Sequence, residues 1–258
     1  MIRHLKQSEV ELVTGWNSGW IPSATFALTV YGCRGYAAYV HALLELPEAL
    51  SNVLFFAYES EGSVQGYAEW RIGRDSALLN TICVHPDARN RGTGRGLLRH
   101  GVELARGRGR GSIVLDVLRS NARARQWYER LGFAPEGETL WLRGRCQVGL
   151  GRPEAQVLDL PQADAAHNLF GFSSFRISTP RGEHVVGRLG EKYFRLTDTS
   201  AVDDTDLHAA LAALDPVREL FLLAPARLTP VAGFEVVDST TRLRVDTSAL
   251  GDALAGSL

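Results

Sequence analysis

The chain has 258 residues, 45% hydrophobic and 22% charged, a balance that supports a buried core and excludes disordered, collagen-like and disulfide-scaffold classes. The length suits two domains, and the longest apolar runs, such as Val53-Leu54-Phe55-Phe56-Ala57, fall far short of the roughly 20 residues that span a bilayer. Net charge is −1, but residues 1–150 carry 18 basic and 14 acidic side chains and residues 151–258 carry 10 and 15.

The beginning, Met1-Ile2-Arg3-His4-Leu5-Lys6, leads into polar residues and not into the apolar core of a signal peptide. Cys33, Cys83 and Cys146 are odd in number and lack C-x-x-C spacing, so no disulfide framework and no zinc cluster are expected. The expectation is a cytoplasmic protein without membrane attachment, a monomer or a homodimer. Residues 2–6 read as a first strand, and residues 8–15 and 36–46 as helices separated by an aromatic, turn-rich loop, Gly15-Trp16-Asn17-Ser18-Gly19-Trp20-Ile21-Pro22. Two strands, 52–59 and 64–73, are joined by Gly62-Ser63 in a hairpin signal. A strand over 78–84 stops at Pro86, and Arg89-Asn90-Arg91-Gly92-Thr93-Gly94-Arg95-Gly96 opens a helix that buries Leu97, Leu98, Gly101, Val102 and Ala105. Residues 112–118 alternate as a strand, and 121–131 form a helix with Gly132 at its C′ position. A strand over 140–146 ends the first domain, 1–150; Gly151-Arg152-Pro153 is the linker to the second, 151–258.

A strand, a glycine-rich turn and a helix together make a phosphate-binding arrangement, because the backbone N–H groups of Arg91 to Gly96 can converge on an anion at the positive end of the helix. Gly92 and Gly94 allow that approach without a Cβ in the way. The spacing departs from the dinucleotide pattern G-x-G-x-x-G, since Leu97 takes its last position, and no G-K-[ST] follows as in a P-loop. Between Arg89 and Arg130, 11 arginines stand against Glu103, Asp116 and Glu129, an excess of positive charge that suggests an anionic ligand.

Val84-x-Pro86-x-x-Arg89-x-x-Gly92-x-Gly94-x-x-Leu97-Leu98, followed by Leu115-Asp116-Val117-x-x-x-Asn121-x-x-Ala124-x-x-x-Tyr128-Glu129-x-x-Gly132-Phe133, resembles the GCN5-related N-acetyltransferase (GNAT) family. The resemblance implies an α/β GNAT acyl-CoA N-acyltransferase fold, with a mixed, largely antiparallel central sheet flanked by helices. It implies acetyl-CoA as acyl donor, its pantetheine arm between two splayed strands, here residues 78–84 and 112–118. Main-chain groups of Ile82, Cys83 and Val84 would pair with the pantetheine amides. Asn90, Arg91, Gly92, Thr93, Gly94 and Arg95 would hold the pyrophosphate, with Arg89 and Gly96 also in the cofactor-binding set; Asn121 would touch the coenzyme A and Tyr128 would face the thioester sulfur. Asn121 and Tyr128 are seven residues apart, within roughly 20° of two full helical turns, and so share a face.

The reaction that this resemblance implies needs an amine stripped of its proton, since an aliphatic amine of pKa ~10.4 is neutral only about once in 2,500 at pH 7. In some family members a carboxylate five residues before the Asn serves, and Asp116 fills that position; Glu69 on the preceding strand is the second candidate. Tyr128 is expected to stabilise charge developing on sulfur and to reprotonate it late. The acceptor side implicates Trp16, Trp20, Tyr36 and Tyr39, and the acidic second half suits a cationic acceptor. Arg106-Gly107-Arg108-Gly109-Arg110-Gly111 lacks the interleaved aromatics of a nucleic-acid-binding tract, and His85 has no partner for a metal site, so neither nucleic acid nor metal is expected.

Residues 153–247 repeat the order of elements of the first domain: strands over 191–198, 219–223 and 241–245, a helix over 207–214, and Gly233-Phe234 echoing Gly132-Phe133. They read as a truncated GNAT-like copy in tandem. Its turn between Asp198 and Asp206 has four aspartates and no glycine, and residues 225–230 replace most of the second helix, so this accessory domain is expected not to bind coenzyme A. Its expected role is to cover a sheet edge of the first domain or to wall the acceptor cleft. The functional expectation is N-acetyl transfer from acetyl-CoA to a primary amine of a small molecule or peptide; the alternative is a non-catalytic acyl-CoA-binding regulatory module.

Overall fold

A computed structural model describes residues 1–147, 152–228 and 231–256. Of the expected features, Gly151 in the linker and Pro230 in the segment replacing a helix lie outside the described residues. In chain order the elements are β1 (Ile2–His4), α1 (Val10–Gly15), α2 (Ser23–Phe26), α3 (Tyr36–Leu44), β2 (Val53–Ser60), β3 (Ser63–Ile72), β4 (Ser76–Val84), α4 (Thr93–Gly107), β5 (Ser112–Leu118), α5 (Ala122–Arg130) and β6 (Ala134–Gly144). There follow β7 (Gln156–Leu158), α6 (Leu160–Phe170), β8 (Phe172–Thr179), β9 (Gly182–Leu189), β10 (Tyr193–Leu196), α7 (Thr205–Leu214), β11 (Glu219–Pro225), β12 (Phe234–Asp246) and α8 (Thr247–Ala255). No helix among the described residues is long and apolar enough to cross a membrane.

The chain forms two compact units, and they do not divide at residue 150. The first comprises Met1–Trp20, Tyr39–Gly137 and Thr240–Leu258; the second comprises Ile21–Ala38 and Glu138–Ser239. The sequence reading gave each half its own closing strand. Instead, residues 240–246 of β12 pair antiparallel with β5, Thr240 opposite Leu118 and Asp246 opposite Ser112. Residues 139–144 of β6 pair antiparallel with β11, Gly144 opposite Leu220. Each edge is thus covered by the last strand of the other half. The expectation that the second half covers a sheet edge of the first is met by this one strand.

In the first unit the strands run β1-β2-β3-β4-β5-β12, antiparallel throughout except for the parallel pair β4–β5. α4 lies on one face because its apolar stripe (Leu97, Leu98, Val102 and Ala105) is buried against Leu54, Phe56, Ala68 and Trp70. Each large side chain buried there contributes about 1.5–3 kcal/mol. Gly101 permits the close approach: a Cβ there would stand 1.9 Å from Trp70 Cζ2. α8 joins the same core through Leu250 and Leu254.

In the second unit the order is β7-β8-β9-β10-β11-β6, again with one parallel pair, β10–β11, at the equivalent place. α7 buries Leu207, Ala210 and Leu211 against Phe194, Leu196, Leu220 and Leu222. The repeat read from the sequence is therefore present in topology, with the final strands exchanged.

Candidate active site

The site is built on a fork in the first unit. β4 and β5 pair from Ser76 opposite Ser112 only as far as Leu79 opposite Leu115. On its other edge β4 pairs with β3, where Glu69 faces Thr81 and Trp70 faces Leu79, so Asn80 is an extra residue on β4. A bulge of this kind bends its strand and raises the local twist, and here it turns β4 away from β5 at the point where their ladder ends. A cavity of about 480 Å³ occupies the fork, with Ile82, Cys83 and Val84 on one wall and Asp116, Val117 and Leu118 on the other.

At one end of the cavity the turn before α4 is shaped for an anion. Asn90 has φ +61° and Gly92 φ +84°. A Cβ added at Gly92 would meet nothing within 4 Å, so the space over the turn is open. The N–H groups of Thr93, Gly94 and Arg95 open a helix of 15 residues and have no acceptor within it. Ala88, Arg89, Asn90, Gly92, Thr93, Gly94 and Arg95 all line the cavity. Arg91 and Gly96 do not; Gly96 instead packs inward, where a Cβ would come within 2.9 Å of Tyr58. The side chain of Arg95 is committed elsewhere, Nη2 donating to the carbonyls of Ala253 at 3.1 Å and Leu254 at 2.8 Å.

α5 forms the facing wall. Asn121 is its N-cap, Oδ1 accepting from Ala124 N at 3.2 Å, and it lines the cavity together with Tyr128. Tyr128 is 6% exposed and packs on Trp127 and Phe133. Burial pushes its hydroxyl pKa well above the ordinary value, so the proton stays on oxygen throughout the neutral range. Burial likewise pushes the Cys83 thiol up to about 11, leaving it protonated and a poor nucleophile.

The carboxylates are less free than their types suggested. Asp116 is the single acidic side chain among the described lining residues, and Arg242 of β12 grips it with Nε and Nη2, both at 2.6 Å. Its carboxylate holds the Arg242 guanidinium pKa above the ordinary value. Glu69 is 1% exposed, accepts from Arg71 Nε at 2.8 Å, and does not line the cavity.

On the face of the sheet away from α4, Trp20 and Gly19 reach the cavity. Trp20 Nε1 donates to Asn17 Oδ1 at 3.4 Å, and that oxygen also accepts from the Tyr67 hydroxyl at 2.9 Å. Trp16 stands edge-on to His85, 5.5 Å between ring centroids. Tyr36 belongs to the second unit, where it packs against Tyr31, and neither it nor Tyr39 is on the cavity wall. Residues not singled out beforehand complete the wall: Thr81, Arg123, Trp127 and Arg130. The last three recur at helical spacing on α5, a periodicity that could have marked them; Arg123 also donates to Asn90 Oδ1 at 3.0 Å. Among the described residues no group of His, Cys, Asp or Glu could hold a metal ion.

A turn with open backbone N–H groups, the lining arginines Arg89, Arg123 and Arg130 and a strand-edged slot together suit an extended ligand with negative charge at one end. Known proteins point the same way. The family model described as "Acetyltransferase (GNAT) family" matches residues 28–133. The [ribosomal protein bS18]-alanine N-acetyltransferase of Escherichia coli (strain K12) is 34% identical over 108 residues, 42% of this chain and 71% of that one. Streptothricin acetyltransferase of Streptomyces lavendulae is 37% identical over 82 residues, 31% of this chain and 43% of that one. Among solved structures, a tandem GNAT protein from the clavulanic acid biosynthesis pathway superposes with a TM-score of 0.68 at 15% identity, covering 96% of this chain and 98% of its own. A GCN5-related N-acetyltransferase from Sphaerobacter thermophilus has a TM-score of 0.62 at 14% identity, over 96% of this chain and 95% of its own. Both share this fold, and the first is a tandem GNAT protein by its name. With its forked sheet and the sequence likeness just described, the chain belongs to the GNAT family and is an acyl-CoA-dependent acetyltransferase.

Proposed function

We propose that the first unit transfers an acetyl group from acetyl-CoA to a primary amine of a small molecule or a peptide. The observation that carries this reading is the fork itself, a slot between β4 and β5 that leads from the anion-binding turn of α4 to Tyr128. Asn90, Gly92, Thr93 and Gly94 would hold the pyrophosphate with backbone N–H groups, and Arg89, Arg123 and Arg130 would supply positive charge around it. Main-chain groups of Ile82, Cys83 and Val84 would pair with the pantetheine arm. When bound, acetyl-CoA supplies an activated acyl group as a thioester.

Tyr128 keeps its proton and offers it, as a hydrogen bond, to charge that develops on the leaving sulfur. A hydroxyl raised above its ordinary pKa of ~10 is a weaker acid than a thiol near ~8.5, so it stabilises the thiolate and does not fully protonate it until late. Asp116 stays paired with Arg242, which takes both its oxygens and leaves the slot wall there close to neutral. Glu69 is buried on β3, accepts from Arg71 Nε and does not line the slot. With neither carboxylate free beside the slot, the amine's proton is assigned to water at the acceptor end. By their names, the two acetyltransferase relatives above act on a ribosomal protein alanine and on streptothricin, which is why a peptide and a small molecule both stay in the acceptor class.

The test is calorimetric titration of acetyl-CoA into the full chain, followed by thiol release across a panel of primary amines. One site per chain and amine-dependent thiol release are expected. Binding without release for any amine would favour a regulatory acyl-CoA-binding module, and no binding would overturn the reading.

A further inference from the structure

Both walls of the slot are tied to one stretch near the C-terminus. On the strand wall, Arg242 faces Asp116 across the β5–β12 ladder and holds both carboxylate oxygens at 2.6 Å. Two residues on, Arg244 donates from Nη1 to Ser112 Oγ at 2.6 Å and from Nε to Glu136 at 2.9 Å. On the helix wall, Arg95 in the first turn of α4 reaches the carbonyls of Ala253 and Leu254, and Arg99 one turn later donates to Leu254 O at 3.1 Å. Those carbonyls end α8, where a helix leaves its last acceptors open and carries the negative end of its dipole. Between the two walls, Thr247 N and Oγ1 bind the carbonyls of Gly111 at 3.0 Å and Arg110 at 2.9 Å, so the start of α8 is pinned where β5 begins.

This stretch is no loose tail. Leu243, Val245, Leu250 and Leu254 are at most 5% exposed and belong to the core on which α4 packs. The phosphate end of the slot is α4, and its far wall is β5. A shift of either would widen the fork or turn the N–H groups of the turn off target, and misplacement of about 1 Å is enough to cost two orders of magnitude in a positioned site.

We propose that the C-terminal strand and helix, residues 240–255, are a working part of the acyl-donor site, with Arg242 and Arg99 as positioning residues that set the fork from outside it. Arg95 is shared between this role and the cavity wall. The proposal rests on the reading of the cavity as the acyl-donor site.

The experiment measures coenzyme A affinity by calorimetry in full-length variants, at a temperature where circular dichroism shows each to be folded. Arg242→Gln is expected to weaken coenzyme A binding about tenfold and Arg99→Gln about threefold, although neither needs to touch the ligand. Arg242→Lys should restore part of the loss, since one ammonium can replace the charge but not the two-pronged grip. Arg143→Gln, which breaks the ion pair with Glu235 in the second unit, should bind within about twofold of wild type. Should Arg242→Gln fail to fold, Arg99→Gln and Arg242→Lys carry the comparison. Wild-type affinity in folded Arg242→Gln and Arg99→Gln would overturn the proposal, whereas no binding by the wild type would overturn the donor-site reading on which it stands.

Discussion

On the proposed mechanism, one hydroxyl group at Tyr128 separates binding from chemistry. Tyr128→Phe keeps the ring that packs on Trp127 and Phe133 and removes only the donor. Coenzyme A affinity should stay within about twofold while turnover falls by roughly 10²–10⁴; steady-state thiol release beside calorimetry separates the two. Gly92 is the reverse case. Its φ of +84° disfavours any side chain, and an aspartate in the open space over the turn would repel phosphate. Gly92→Asp should therefore abolish coenzyme A binding at concentrations that saturate wild type. Both positions were legible because their neighbours in sequence are their neighbours in space: the turn 89–94 and the helical spacing of Asn121 and Tyr128 are local facts. Asp116 was legible as a position but not as a chemical state. Its partner stands 126 residues away, and no local pattern announces that an arginine so distant will take both carboxylate oxygens.

Among the elements, α4 was readable almost to the residue from its apolar stripe and glycine-rich start. Its Gly101 carries a direct test, since a methyl group there runs into the Trp70 ring. Gly101→Ala should destabilise the fold by about 1–3 kcal/mol through overpacking, seen as a lower urea midpoint. The bulge at Asn80 was not readable. Residues 78–84 alternate well enough for a plain strand, and only the register against β3 reveals the extra residue. The first half of β6 also escaped notice, because Ala134-Pro135-Glu136-Gly137-Glu138 is exposed and turn-like in composition.

In the second unit the equivalent helix start is filled by a side chain of the protein itself. Asp204, fully buried, caps α7 through Leu207 N at 3.0 Å and accepts from Thr179 Oγ1 at 2.6 Å, with His184 Nε2 at 2.8 Å. A carboxylate from the chain itself sits at the helix start where the first unit leaves open space. Burial alone would raise the Asp204 pKa, but the hydrogen bonds from Thr179, Leu207 and His184 outweigh it and hold the pKa below the ordinary carboxylate value. The stability that it contributes is thus present above the unfolded pKa of about 3.9 and lost as pH falls through the lower folded value. Asp204→Asn should remove that acid-side loss and cost about 3 kcal/mol at neutral pH, read from urea melts at several pH values.

For the whole molecule, the sequence permits the recognition of two similar halves but not of how they are closed. Residues 140–146 and 241–245 follow equivalent elements at equivalent distances, and either strand has the apolar alternation to close either sheet. Which edge each covers depends on the path of the chain in three dimensions. The charge asymmetry was informative only in part. The arginines between Arg89 and Arg130 include lining residues, but Arg99 and Arg106 serve α8, with Arg106 Nη2 3.5 Å from the carbonyl of Thr247.

The exchanged strands also set a timetable for the ribosome. β5 leaves the exit tunnel long before its outer neighbour, residues 240–246, has been polymerised, and closing so long a loop is slow compared with local pairing. A nascent chain that has emitted the whole acetyltransferase motif still has a bare β5 edge, and it must wait for residues 240–246, more than 100 residues on from β5. A chain truncated before residue 240 would therefore carry every motif residue and yet no finished slot, so that capacity to bind the proposed acyl donor should report synthesis through residue 246. Pulse-labelled chains captured on coenzyme A resin should all extend beyond residue 246.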